Sequence, residues 1–308
     1  MTTSGTTAFN LDLNNLIEEA FERCGTELRT GYDMRTARRS LNLLTVEWAN
    51  RGINLWTIEQ GQISMVTGQG IYPVPVNTID LLDHVIRQNN GVTSNQIDIN
   101  ISRISESTYS TIPNKLTTGR PIQVWFNRQS GQSNATAVTL NSTIDAVTTS
   151  ITVSDASALP IGGFIKIDNE TISYANVVGN VLTNCYRGQN GTTAASHTTG
   201  AAITIQNLPS INVWPTPDAG GGPYTFVYWR LRRIQDAGSN GTVEPDIPFR
   251  LLPCMVAGLA FYMAQKLPDG QARVQFLKQE YEEQWLMAST EDREKAASRF
   301  VPRTTFYA

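Results

Sequence analysis

Histidine is almost missing from this 308-residue chain: only His84 and His197 occur. Two distant histidines cannot build a His-Glu-x-x-His zinc site or a multi-histidine metal centre, which removes most hydrolytic metal chemistry. Cysteine is as scarce. Cys24, Cys185 and Cys254 are odd in number and far apart, which argues against a disulfide framework and a Cys-x-x-Cys metal site and fits a reducing compartment. No Gly-Lys pair exists, so there is no phosphate loop, and Gly68-Gln69-Gly70 is followed by Pro73 where a dinucleotide fingerprint needs glycine. No Gly-x-Ser-x-Gly elbow is present, so a catalytic triad would have to be assembled from distant residues around His84 or His197. No cofactor and no enzymatic activity are expected.

Charge is also thin, at 17% of residues and a formal net charge of −3. It is spread evenly: residues 1–128 carry 11 basic and 12 acidic groups, 129–207 carry 2 and 4, and 208–308 carry 11 and 11. That balance lacks the basic footprint of a dedicated DNA-binding domain. The longest apolar stretch, Leu251 to Ala264, contains Pro253 and is shorter than the ~20 residues a membrane-spanning helix needs, so it reads as a buried helix. The opening Met-Thr-Thr-Ser-Gly-Thr-Thr lacks a basic region and an apolar core, so no signal peptide is expected. Six Asn-x-Ser/Thr sequons then read as by-products of a polar composition.

What fills the space left by charge is Thr, Ser, Asn and Gly, typical of strand surfaces solvated by neutral groups. The 40% hydrophobic content is enough for a folded core, and the length suggests two units or one core with an inserted module. Phe9, Leu13, Leu16, Ile17, Ala20, Phe21 and Cys24 recur at helical spacing before Gly25. A second helix has Asp33 as its expected N-cap, an apolar seam at Met34, Ala37, Leu41, Leu44 and Trp48, and an end at Arg51-Gly52. Its other face, with Arg35, Arg38, Arg39 and Glu47, reads as solvated rather than as a phosphate stripe.

From Ile63 the period changes to two, and Ile63–Met65 and Ile71–Val76 read as a hairpin around Gly68-Gln69-Gly70. Residues 81–87, 96–101 and 121–128 extend the strand pattern, with a short helix over 102–110. Residues 130–207 have the texture of a small all-β module, with hairpin chemistry at Gly179-Asn180 and a turn at Asn190-Gly191. Alternating strands flank it, Ile122–Phe126 before and Ile211–Trp214 after, so the module is read as an insertion into a hairpin of the parent domain. A second helical pair follows, Phe249 to Lys266 and a helix running to about Arg299 with a seam at Val274, Leu277, Tyr281, Trp285 and Ala288.

The expected fold is α+β. A helical bundle from the N-terminal hairpin and C-terminal helix pair joins an antiparallel β domain, giving a discontinuous core over 1–129 and 208–308 that carries the module at 130–207. Within the module, Asp168 and Glu170 are two residues apart and read as a solvated strand face rather than a glycosidase pair, and Tyr174 and Tyr186 as packing residues rather than a glycan platform. Pro302 stops the last helix and leaves a tail with Phe300, Val301, Phe306 and Tyr307, which either folds back on its own sheet or orders on a partner.

In Ala37–Ile53, in Trp214–Asp218 with Tyr228–Ile234, and in Gly258–Ala264 with Leu277–Tyr281 and Glu291–Arg293, the chain resembles the head-to-tail adaptor proteins of short-tailed bacteriophages, the tail tubular protein A-like group. Ser150–Pro160 through Tyr186–Thr192 looks like a small module recurring in phage virion proteins of several kinds. The inserted module departs from the shortest adaptors and leaves its own role open. The resemblance implies a structural ring, a homo-dodecamer, at the head-tail junction of the virion, assembled in the host cytoplasm. Such a ring binds the portal protein and the tail nozzle protein, presents a platform for tail fibres, and passes phage DNA without sequence-specific binding or membrane contact. Twelve copies would sum to about −36, unlike a basic clamp. The resemblance also implies docking on the portal or a neighbouring subunit by Phe300, Val301, Pro302, Phe306 and Tyr307, with Arg35, Arg38 and Arg39 as a second interface. Two alternatives stay open: a terminator or nozzle-associated tail subunit, and a glycan-binding or glycan-degrading tail protein.

Overall fold

The computed structural model describes residue 5 and residues 11–52, 55–220, 223–238 and 241–293. The fold is α+β, in two compact units: residues 1–57 with 233–308, and residues 58–232.

The first unit is helical. Helix α1 (Leu13–Cys24) starts at Asp12, whose carboxylate accepts the Asn15 N–H at 2.8 Å, and ends at Gly25 in the left-handed region. Helix α2 (Gly31–Arg51) begins a turn earlier than the sequence suggests. Thr30 is its N-cap and Asp33 is the third helical residue. Thr30 Oγ1 accepts the Asp33 N–H while the Asp33 carboxylate accepts the Thr30 N–H, so two orphan donors are satisfied reciprocally. Helix α3 (Leu252–Ala264) is buried on nearly every side, and α4 (Val274–Glu291) follows a 3-10 segment over Pro268–Arg273.

Helix α4 is described to Glu291, where Asp292 leaves the helical region and its carboxylate accepts the Leu55 N–H at 3.3 Å; the expected end near Arg299 lies outside the described residues. The core of this unit is the expected pair of seams, Leu41, Leu44 and Trp48 from α2 and Leu277, Tyr281 and Ala288 from α4, closed on α3. Gly258 is where they meet: a Cβ there would lie 2.8 Å from the Tyr281 ring and 2.9 Å from Leu44. Among the described residues, no single helix is long and apolar enough to cross a membrane.

The second unit is built of strands: β1 (Ile58–Ser64), β2 (Ile71–Pro73), β3 (Thr78–Gln88), β4 (Ile97–Asn100), β5 (Ser102–Arg103), β6 (Thr118–Gly119) and β7 (Gln123–Asn127), with one helical turn at Glu106–Ser110. Then come β8 (Ser133–Thr139), β9 (Ile151–Thr152), β10 (Gly163–Ile167), β11 (Glu170–Tyr174), β12 (Asn176–Val178), β13 (Val181–Thr183), β14 (Tyr186–Gln189) and β15 (Ala202–Gln206). The last are β16 (Ser210–Trp214), β17 (Thr216–Pro217) and β18 (Tyr224–Arg232).

Two four-stranded sheets, β1-β18-β3-β4 and β2-β16-β7-β5, share one core of Leu81, Ile86, Phe226 and Tyr228 against Tyr72, Val124, Phe126, Ile211 and Val213. The expected β1–β2 hairpin does not form. β1 pairs with β18 and β2 with β16, so the Gly68-Gln69-Gly70 turn carries the chain from one sheet to the other.

Strands β7 and β16 pair antiparallel from Gln123↔Trp214 to Asn127↔Ser210, and the intervening segment leaves and returns between them. That segment has its own five-stranded sheet, β14-β11-β10-β15-β8, a three-stranded sheet, β12-β13-β9, and its own core around Ile151, Ile165, Ile172, Tyr174 and Leu182. The compact division nevertheless falls at 57/58 and 232/233, not at the segment's ends. Polar contacts bind the segment to the sandwich: buried Gln69 donates to Gln189 Oε1 at 3.0 Å, and the Tyr186 hydroxyl donates to the Thr67 carbonyl at 3.3 Å.

Candidate functional site

Two helices of the first unit carry apolar side chains on faces that their own core leaves uncovered. On α2 the outer face reads Tyr32, Arg35, Arg39, Leu43, Val46 and Asn50, spaced three and four apart, all exposed. On α4 it reads Phe276, Gln279, Glu283, Leu286 and Thr290, with Met287 alongside. Tyr32, Leu43, Val46, Phe276, Leu286 and Met287 are each more than half exposed. A run of large apolar side chains at helical spacing on an outer face is the signature of a surface that another surface covers. The two faces differ in charge, Arg35 and Arg39 on α2 against Glu283 on α4.

Of the three arginines singled out from the sequence, Arg35 and Arg39 lie on this outer face. Arg38 is turned toward the bundle and half-buried. Glu47 is not part of a solvated face. It accepts from the Tyr262 hydroxyl at 2.6 Å and the Tyr281 hydroxyl at 3.4 Å and pairs with Arg51 at 2.7 Å. The Arg51 guanidinium lies 4.7 Å from the Trp285 ring centre, and the Trp48 indole donates to Tyr281 Oη at 3.1 Å. Phe300, Val301, Pro302, Phe306 and Tyr307 lie outside the described residues.

The second concentration of chemistry is inside the β segment. Asp168 and Glu170 do not share a solvated strand face: Asp168 sits in the β10–β11 turn with φ 51° and is exposed, whereas Glu170 is 1% exposed. They meet instead on His197, whose Nδ1 is 2.8 Å from Asp168 Oδ2 and whose Nε2 is 2.8 Å from Glu170 Oε2. Arg187 donates to both Glu170 oxygens, at 2.8 and 2.7 Å, and to the carbonyls of Asp145, Thr148 and Ala195. The N–H groups of Gly188 and Ala195 also donate to Glu170, at 2.9 and 3.0 Å.

Burial alone would raise the Glu170 pKa, but Arg187, His197 and the two backbone donors outweigh it and hold the carboxyl at about 2. The knot neutralises a buried carboxylate and tethers the loops around Asp145–Thr148 and Gly188–Ala195. Charge scarcity is the sequence signal that could have found it. In a segment solvated by neutral hydroxyls and amides, Arg187 is one of two basic residues, and a rare charge among such residues is a candidate for burial with a partner.

The nucleophile candidates are not brought together. Both His197 ring nitrogens are taken by carboxylate oxygens, so neither is left to activate a hydroxyl. His84 stacks on Phe226 with ring centres 5.9 Å apart, and burial, helped by nearby Arg103, pulls its pKa down. All three cysteines are free and buried, and desolvation pushes Cys24 up to about 11 and Cys185 and Cys254 to about 12, which makes them inert thiols. Tyr174 is buried with its hydroxyl on the Pro160 carbonyl, and Tyr186 is half-buried, so the two form no exposed aromatic platform. No family model matches the chain, and no curated protein matches it.

Proposed function

We propose that this chain is a structural virion subunit. Copies of it assemble into a ring that joins the portal to the tail nozzle and continues the channel through which the genome is retained and ejected. The observation that carries the reading is the pair of unlike exposed faces on α2 and α4, one apolar and basic, the other apolar and acidic. A closed ring is made by heterologous contacts, in which one face of a copy meets a different face of the next, and such contacts need two complementary patches on one chain. The words that carry the adaptor resemblance supply the scaffold beneath those faces: Ala37, Leu41, Leu44 and Trp48 on α2, Gly258 to Ala264 on α3, Leu277 and Tyr281 on α4. Residues 300–308 serve in this reading as the portal anchor.

Electron microscopy of the purified protein, alone and mixed with assembled portal rings, tests the proposal. The expected result is a ring stacked coaxially on the portal. Rings that bind only a tail component would move the subunit down the tail, and a persistent monomer with no portal binding would overturn the reading. Paired Arg35→Glu and Arg39→Glu substitutions are expected to reduce ring formation, and Glu283→Arg to restore part of it. Deletion of 300–308 is expected to abolish portal binding while leaving the helical unit folded.

A further inference from the structure

Inside the β unit, one face of the β2-β16-β7-β5 sheet is not covered by the sandwich core. It forms the floor of a cavity of about 420 Å³, walled on the other side by Pro160–Gly163 and the Ile205–Leu208 stretch of the inserted segment. That volume is in the range of small-molecule sites. Register places Ile71, Asn212 and Trp125 in one row across the floor, because Asn212 on β16 pairs with Ile71 on β2 and with Trp125 on β7. The half-buried Trp125 ring stacks on Tyr109 with centres 5.1 Å apart, making an aromatic surface at one end of the row.

Asn212 is 4% exposed, and its Nδ2 has no hydrogen-bond partner among the described residues. A buried amide donor left unsatisfied is disfavoured, and an acceptor delivered by a ligand removes that penalty. The other polar side chains around it are neutral too. Gln206 is held by the Thr171 hydroxyl through its Oε1, and Asn127 accepts from Gln129 through its Oδ1. Among the described residues, no carboxylate, arginine or histidine lines the cavity. Its one charged group, Lys115, donates to the Ser110 and Ile112 carbonyls and lies 5.4 Å from the centre of the Tyr109 ring. A site with fixed amides, an aromatic face and no countercharge suits a ligand with paired hydroxyls and an apolar face.

We propose that this cavity binds an uncharged pyranose unit of a glycan, stacked on Trp125 with a hydroxyl oxygen accepting from Asn212 Nδ2. The proposal does not depend on ring assembly. The test is saturation-transfer NMR on the full chain with the methyl pyranosides of glucose, galactose, mannose, N-acetylglucosamine and N-acetylgalactosamine, with acetyl-leucinamide as an apolar peptide probe. At least one pyranoside is expected to show transfer, with affinity falling tenfold or more in Trp125→Ala and Asn212→Ala. Ile161→Glu, on the rim at 76% exposure, leaves the core untouched and is expected to weaken the same sugar. Absence of transfer to all five pyranosides, binding unchanged in Trp125→Ala and Ile161→Glu, or full competition by acetyl-leucinamide would each overturn it.

Discussion

Each of the two units holds a glutamate in a cluster of polar partners, and they hold it in opposite ways. Glu47 lies at the edge of the helical bundle with its side chain 24% exposed, on a regular helix, and takes two phenol hydroxyls and the arginine one turn along. Glu170 is 1% exposed, and every partner comes from outside its own strand: Arg187, His197 and the N–H groups of Gly188 and Ala195. The bundle has an apolar seam on three helices that would hold α2 in place without Glu47. Around Glu170 the β11–β14 pairing is irregular, with a register shift between Thr171 and Ser173 and Gly188 at φ 60°, and the stretch after Gln189 that carries Ala195 lies outside the ladder. A carboxylate at a helix edge therefore trims a structure that packing has already built, while a carboxylate where an irregular strand pair meets two loops is the structure's means of closure.

The largest effect expected from this difference is for Glu170→Ala, which leaves Arg187 buried and without its carboxylate. Breaking a buried pair by removing one partner costs about 3–5 kcal/mol. Urea denaturation should register that loss, and hydrogen exchange should localise it to the amides of Gly188 and Ala195, with the peptides of α2 and α3 unchanged. Equal deprotection of both units would break the comparison.

Acid gives a second route to the same carboxyl. The Glu170 pKa falls from the ordinary 4.5 to about 2 on folding, so its contribution is fully present above pH ~4.5 and is lost as pH drops toward 2. An acid-unfolding profile of the native chain should lose stability across that window, and Glu170→Gln should flatten the slope there while lowering stability at neutral pH. An unchanged slope would mean that other carboxylates carry the acid limb.

Those outcomes bear on what the sequence makes legible. The helical seams are readable because apolar residues at three and four spacing have one place to go, and Leu41, Leu44, Trp48, Leu277 and Tyr281 all go there. The outer stripe of Leu43 and Val46 is invisible to the same rule, since a helix with two apolar faces looks like one with a broad face. The β7–β16 pairing shows through the alternation of Val124 and Phe126 with that of Ile211 and Val213. Nothing local to Asp168, Glu170, Arg187 or His197 predicts that they converge: the partners lie 17 to 27 residues from Glu170, and their meeting is set by strand register. Tyr72 gives the same lesson. Its alternation with Val74 is correct, but which sheet it joins depends on β16, far along the chain.

An intermediate effect is expected where the bundle is tightest. Gly258 lets α3 approach both α2 and α4, and an added Cβ would press on the Tyr281 ring at 2.8 Å and on Leu44 at 2.9 Å. Gly258→Ala gains helix propensity, about 1 kcal/mol relative to glycine, but overpacking of this kind costs about 1–3 kcal/mol. The net result should be a modest destabilisation of the helical unit alone. A stabilised protein would show that α2 or α4 can shift outward, and that the seam is looser than its contacts suggest.

The smallest effect should come from Tyr281→Phe, which removes the acceptor for the Trp48 indole N–H and one donor to Glu47 while leaving the ring in place. Glu47 keeps Tyr262 and Arg51, so the carboxylate is not stranded, and the unpaired group is the indole N–H alone. The cost of one hydrogen bond between neutral groups is about 0.5–1.5 kcal/mol, small beside the loss expected at Glu170. Thermal denaturation of this variant and of Glu170→Ala, in the same buffer, sets the two values side by side. If Tyr281→Phe proved as damaging as Glu170→Ala, the Glu47 cluster would be a closure device of the same kind, and the helical unit would owe its order to a polar centre rather than to its seam.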